Sequence, residues 1–219
     1  MSAGGKARME RTRRAILDAG EAVFLEHGFL GASMDQVAEL AGVSKQTVYA
    51  HLQSKEALFL EVVGGMTGGA GDRLAEQVAD PQVDRPLADF LLDFARQQLE
   101  IVLTPRLMRL RRLVIGEVGR FPDLGRMLHE RGPGRSIARL ARAFEAYRDA
   151  GHVAIPDPRE AASHFNWLVM GGPVNAAMLL GDEAIPDKDD RLRHARECVR
   201  IFLAAYGAWD GSRLPPDPV

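Results

Sequence analysis

Residues 33–55 read SMDQVAELAGVSKQTVYAHLQSK, and their spacing fixes two helices that are too short to persist alone. Ser33 followed three residues later by Gln36 is a capping box, so a helix starts at Met34. Val37, Ala38 and Ala41 fall on one face of it. Gly42 then ends the helix where a positive φ is needed, and Val43 tucks beneath the turn. Ser44 caps a second helix in which Val48 points back to the core. Small Ala38 stands where the two helices cross. The pattern predicts a helix-turn-helix, because an ordinary helical hairpin does not require all of these offsets together.

The remainder predicts an all-α fold. Apolar positions recur at helical spacing, as in Ile16, Val23 and Phe24, or Phe90, Phe94 and Ile101. No useful length alternates like a strand, and prolines and glycines fall between the periodic segments. Helices are expected over 9–27 (stopped by Gly28), 34–41, 45–51, 55–79, 85–103, 105–118, 123–130, 134–150, 157–180 and 187–208. The run GGMTGGAG at 64–71 predicts a kink or break in the fourth of these. The chain is expected to divide into a helix-turn-helix head at 1–55, a larger helical domain at 56–208 and a flexible tail at 209–219.

Charge becomes informative once it is located. The 219 residues sum to −2, which argues against a protein that coats nucleic acid indiscriminately. Yet Lys6, Arg8, Arg11, Arg13 and Arg14 face only Glu10 in the first fourteen residues, and 44–55 holds two lysines, one histidine and no acid. The 6–14 segment is read as a flexible arm that adds phosphate contacts. Cys198 is the lone cysteine, so a reducing, cytoplasmic setting is expected. No apolar run approaches the ~20 residues of a membrane span, and MSAGGKARMERTRR leads into no apolar signal core.

The polar residues of the second short helix explain the local charge. Lys45, Gln46, Thr47, Tyr49 and His51 face away from Val48, as a helix entering a major groove requires. Lys55 follows Ser54 at the start of the next helix, where a cation opposes the dipole at a cost of roughly 0.3–1 kcal/mol. A phosphate bound there reverses that sign. These side chains are read as left unpaired for DNA to complete.

The stretch GFLGASMDQVAELAGVSKQTVYAHLQSKEALF closely resembles the DNA-binding domain of TetR-family transcriptional regulators, and AILDAGEAVFLEHGF resembles their first helix. The likeness covers about residues 10–62; Leu52 departs from it, since an aromatic is commoner there. By position, the resemblance implies phosphate contacts from Ser33, Thr47, Tyr49, His51 and Lys55, with Ser44 beside them, and base proximity for Lys45 and Gln46. LRRLVIGEVGRFPDLGRMLHERGPGRSIARL, residues 110–140, resembles the C-terminal domain of the AefR/AcrR-like subgroup. That likeness implies a homodimer, a palindromic double-stranded DNA operator and a small-molecule effector whose identity it leaves open, most simply as a repressor.

The C-terminal helices supply candidates for both further roles. Apolar faces interrupted by a few polar groups suit a small-molecule site: Met66, Phe94, Gln98, Arg111, Phe165, Asn166 and Met170. Arg111, beside Leu107 and Val114, is the candidate for an anionic ligand group. The last two helices carry small and apolar residues that allow close approach of a second copy: Gly172, Ala176, Leu192, Val199, Phe202 and Tyr206. The six histidines are scattered without metal-ligand spacing, and Cys198 has apolar neighbours. No catalytic group, metal or cofactor is therefore expected, and the chain is read as no enzyme.

Overall fold

The computed structural model describes residues 3–77 and 83–206, and the described elements are helical. They are α1 (Ala3–Gly31), α2 (Met34–Ala41), α3 (Lys45–His51), α4 (Lys55–Gln77), α5 (Leu87–Val102), α6 (Pro105–Glu117), α7 (Pro122–His129), α8 (Arg135–Asp149), α9 (Pro158–Leu180) and α10 (Lys188–Tyr206). A turn of π-helix, Glu130–Gly134, leads into α8, and a 3₁₀ turn, Asp182–Ala184, separates α9 from α10. The chain divides into two compact units. One takes in the chain up to Gly69 together with Arg109–His129; the other takes in Ala70–Met108 and the chain from Glu130 onward. The functional division expected at 55/56 is thus not where the packing divides, and the expected tail at 209–219 lies outside the described residues.

In the first unit, α1 passes along α4 at Gly20, where an added Cβ would lie 3.0 Å from a Leu58 methyl carbon. Phe24, Phe29 and Phe59 interlock beside this crossing, with Phe24–Phe59 and Phe29–Phe59 centroids 4.9 and 5.0 Å apart. Phe121 joins them from the α6–α7 turn, edge-on to Phe29 at 4.9 Å. Buried aromatics of this size supply much of a small unit's stability, each contributing roughly 1.5–3 kcal/mol by removal from water. The expected stop at Gly28 appears as a break in α1: φ is 69° and ψ 177°, and one short turn follows to Gly31.

Two expectations are corrected here. The basic residues 6–14 belong to α1 rather than to a flexible arm. Lys6, Arg8, Met9, Glu10 and Arg11 are all good helix formers with no proline among them, so they extend the α1 frame. The glycine-rich run does not break α4, which continues through 64–71. Each glycine costs about 1 kcal/mol relative to alanine, but Val62, Val63, Met66 and Leu74 are buried along the helix. The Thr67 hydroxyl also donates to the Val63 carbonyl at 2.7 Å. Packing outweighs propensity.

In the second unit, α8 packs along α9 while α5 packs against α10. Phe202 of α10 stacks on Phe144 of α8 at 5.2 Å and meets Phe165 of α9 edge-on at 5.1 Å. The Asp157 carboxylate caps α9, accepting from the Arg159 and Glu160 amides at 2.9 and 3.0 Å, and Pro158 occupies the first turn, where no N–H is needed. Tyr147 closes the end of α8 by donating its hydroxyl to the Arg85 carbonyl at 2.8 Å.

Candidate nucleic-acid interface

The α2–α3 pair is held by hydrogen bonds that its sequence specifies. Ser33 Oγ accepts from the Gln36 amide at 3.3 Å, and the Gln36 side chain accepts from the Ser33 amide at 2.8 Å. The Ser33 hydroxyl also donates to Gln36 Oε1 at 2.9 Å, so its proton is already engaged. Gly42 has φ 67°, with its amide on Glu39 O at 3.1 Å and that of Val43 on Ala38 O at 3.0 Å. Those two bonds are the Schellman arrangement, which closes α2 and turns the chain. Ser44 then caps α3 by accepting from the Thr47 amide at 3.1 Å, and the two hydroxyls lie 2.8 Å apart.

Val48 is 0% exposed and Ala38 5%, so α3 has one face pinned and the other open. Lys45, Gln46 and Tyr49 are on the open face; Thr47 and His51 are half-buried. Neither lysine is unpaired, which corrects the expectation from sequence. Lys45 donates to the Asp35 carboxylate of α2 at 2.9 Å, and that hydrogen bond and charge raise its pKa above the ordinary lysine value. Lys55 Nζ donates to the carbonyls of Phe29 and Ala32 at 2.8 and 2.9 Å and lies 4.6 Å from the Phe29 ring centre. A cation at the start of α4 therefore serves the negative end of α1, and the dipole argument applies to the wrong helix. Glu56, next in α4, is held below the usual carboxylate range chiefly by a hydrogen bond from its own backbone amide.

The same Phe29 ring is covered by Arg120, whose guanidinium carbon lies 4.9 Å from its centre. Phe121 stands against both Phe29 and, at 5.8 Å, Phe59. Asp35, Phe29, Arg120 and Phe121 surround the candidate residues Lys45 and Lys55 and were not among the residues expected from sequence. The break at Gly28 was the available signal, because it frees carbonyls that a nearby cation can satisfy.

The ligand candidates separate between the units. Met66 and Arg111 belong to the first; Phe94, Gln98, Phe165, Asn166 and Met170 belong to the second and are all buried. Burial lowers the Arg111 pKa from its ordinary value. Of these residues, Gln98 and Asn166 are in direct contact, with Gln98 Nε2 donating to Asn166 Oδ1 at 2.8 Å. A groove of about 440 Å³ in the second unit is lined instead by Leu99, Gly172, Pro173, Ala176 and His194 among others, and by none of the seven candidates.

The dimer candidates need correction too. Val199 and Phe202 are 7% and 2% exposed, enclosed in the core of their own chain, so neither offers a surface to a second copy. Tyr206 stacks on Phe202 at 4.6 Å, and its hydroxyl lies 2.6 Å from His164 Nδ1. Gly172 is exposed, while Ala176 and Leu192 are half-buried. The large apolar side chains that α9 and α10 do expose are Trp167, Leu179, Leu180 and Ile201, at 46%, 74%, 75% and 41%. Period alone could not separate the two faces, because these helices are apolar on both.

Residues 16–62 match the bacterial regulatory proteins of the tetR family, and 89–208, more than half the chain, match the AefR-like transcriptional repressor C-terminal domain. The chain belongs to the TetR family. A solved TetR-family transcriptional regulator from Mesorhizobium loti is 35% identical, with a TM-score of 0.83 over 92% of this chain and 99% of that one. The flavonoid-responsive regulator FrrA is 34% identical, with a TM-score of 0.73 over 90% of this chain and 98% of its own. The HTH-type transcriptional activator FasR of Mycolicibacterium smegmatis is 34% identical over 42% of this chain and 43% of its own length. The matched stretches thus span less than half of the curated relatives.

As a TetR-family member the protein is a transcriptional regulator rather than an enzyme, and the AefR-like likeness read from residues 110–140 holds for the C-terminal half. Among the described residues, no helix is long and apolar enough to cross a membrane.

Proposed function

We propose that the protein is a homodimeric repressor that holds a palindromic operator through two copies of α3 and releases it when a small molecule binds the C-terminal half. The observation that carries this reading is α3 itself: capped by Ser44, pinned by Val48, and open along Lys45, Gln46 and Tyr49. Gln46 offers the paired donor and acceptor that suits the N6/N7 edge of adenine, and Lys45 stands beside it. Thr47, Tyr49, His51 and the third N–H of Lys55 meet phosphates. Only one proton of the close Ser44–Thr47 hydroxyl pair is used within the pair, which leaves the other for a phosphate. Ser33 acts by fixing α2.

Gly172, Ala176 and Leu179 share a stripe of α9 at i, i+4 and i+7, and together with Leu180 and Leu192 they form the face that meets the second copy. A two-fold dimer sets the recognition helices about 34–36 Å apart, one turn of DNA, hence the palindrome. The effector is a largely apolar molecule, in keeping with buried Phe94, Phe165 and Met170. FrrA, by its name, responds to flavonoids, so apigenin is a reasonable first compound. Release requires that the effector bind the non-DNA conformation more tightly, by the factor by which it weakens DNA binding. A shift of α6 would reach Lys55 through Phe121 and Phe29.

The sign of regulation is tested by in vitro transcription from a promoter that overlaps the operator. Added protein is expected to suppress transcript and effector to restore it; stimulation by the protein would make it an activator, as FasR is named.

A further inference from the structure

Gln98 on α5 and Asn166 on α9 are almost fully buried, at 3% and 0% exposure. Each amide engages one of its two polar atoms with the other, through the 2.8 Å bond from Gln98 Nε2 to Asn166 Oδ1. The other two atoms, Gln98 Oε1 and Asn166 Nδ2, have no partner and are sealed from solvent. Turning both amides over exchanges the labels but leaves one orphan acceptor and one orphan donor, and turning one sets like groups face to face. The mismatch does not depend on how the amides are assigned.

A buried pair in this state is a costly arrangement unless something completes it. One hydroxyl does so by itself: its O–H donates to Gln98 Oε1 while its lone pair accepts from Asn166 Nδ2. A carboxylate would set a second acceptor against Gln98, and an ammonium a second donor against Asn166, each losing its hydration without a full set of partners. The walls are apolar. Phe94 lies one turn before Gln98 and Met170 one turn after Asn166, each on the same helix face as its amide and each buried.

We propose that Gln98 and Asn166 form the polar anchor of an effector site between α5 and α9, and that it takes a neutral hydroxyl carried on an aromatic or alicyclic framework. This rests on the effector reading above. Because both orphan atoms are sealed, the ligand has to part α5 from α9 to reach them. It therefore favours an opened form over the closed one, the differential affinity by which an effector shifts a regulator.

The full-length dimer is titrated calorimetrically with 2-naphthol and with 2-methoxynaphthalene, whose ether oxygen accepts but cannot donate. The naphthol is expected to bind about tenfold to a hundredfold more tightly, the range that an unmade buried hydrogen bond implies. In a Gln98→Met/Asn166→Leu variant the preference disappears. That variant keeps the core volume and removes both orphans, so its melting temperature matches or exceeds that of the original protein. Equal affinity for the two probes, no binding of either, or a preference that survives in the variant overturns the site. If the naphthol preference is present and lost in the variant, yet 2-naphthol leaves the operator bound, the site stands and the effector reading fails.

Discussion

Lys55 Nζ lies 2.8 Å from the carbonyl oxygen of Phe29 and 4.6 Å from the centre of that residue's ring. One cation thus ties the first residue of α4 to the last turn of α1, and the carbonyl of Ala32 takes a second of its protons. The third proton is the one proposed to meet a phosphate. Lys55→Met is expected to remove both roles. Two charge-assisted bonds at a half-buried site are lost, for about 1–2 kcal/mol of stability, measurable by urea unfolding. The slope of log affinity against log salt falls by about two, the signature of one lost phosphate contact in each half-site of the proposed dimer. An unchanged slope would leave Lys55 a purely structural residue.

Phe121 acts through the same ring. Phe121→Ala uncovers Phe29 and Phe59 and is expected to cost about 2 kcal/mol in thermal or urea unfolding, less than a fully buried phenylalanine because this one is half-buried. Its effect on operator affinity should be non-additive with that of Lys55→Met, since both act on Phe29. Additive losses in the double-mutant cycle would separate the two.

Asp35 holds Lys45 at an exposed site, beside the side chains of α3 proposed to meet DNA. Asp35→Asn leaves the fold unaltered, because exposed ion pairs contribute little to stability. It is expected to raise affinity for all DNA sequences at low salt, by freeing a cation and removing an anion. Filter binding to operator and scrambled duplexes checks this, with equal gains on both.

Cys198 donates weakly to the Leu168 carbonyl at 3.4 Å, and burial pushes its thiol pKa up to about 11 from 9.0. A raised folded-state pKa leaves stability intact below pH 9 and removes it as pH climbs from 9 towards 11, because the unfolded chain ionises first. The loss amounts to at most about 3 kcal/mol. Cys198→Val should flatten the alkaline limb of the stability profile over that interval. The native thiol should also resist a disulfide reagent at neutral pH and react on unfolding.

The residues that were legible in sequence are those whose physics is local. Ser33, Gln36, Gly42 and Ser44 cap or turn segments within a few residues of themselves, so the α2–α3 geometry and its bounds follow from the order of side chains. Lys55 was assigned to the correct position but not to its partners, since those are carbonyls 23 and 26 residues upstream. The glycine run misled because Val62, Val63 and Met66 bury a face that propensity ignores. Phe202 misled because a helix packed on both sides carries two apolar faces, and period does not say which belongs to a second chain. The Gln98–Asn166 contact joins residues 68 apart, which only the packing of α5 and α9 brings together.

The central claim is that α3 reads a two-fold DNA site, and selection from a random double-stranded library tests it most directly. Purified protein is mixed with the library at low salt, and the retained fraction is sequenced. A palindrome with half-sites one helical turn apart is expected, and Gln46→Ala should relax preference at one base position in each half-site while binding elsewhere persists. Failure of folded, dimeric protein to enrich any sequence would contradict the account.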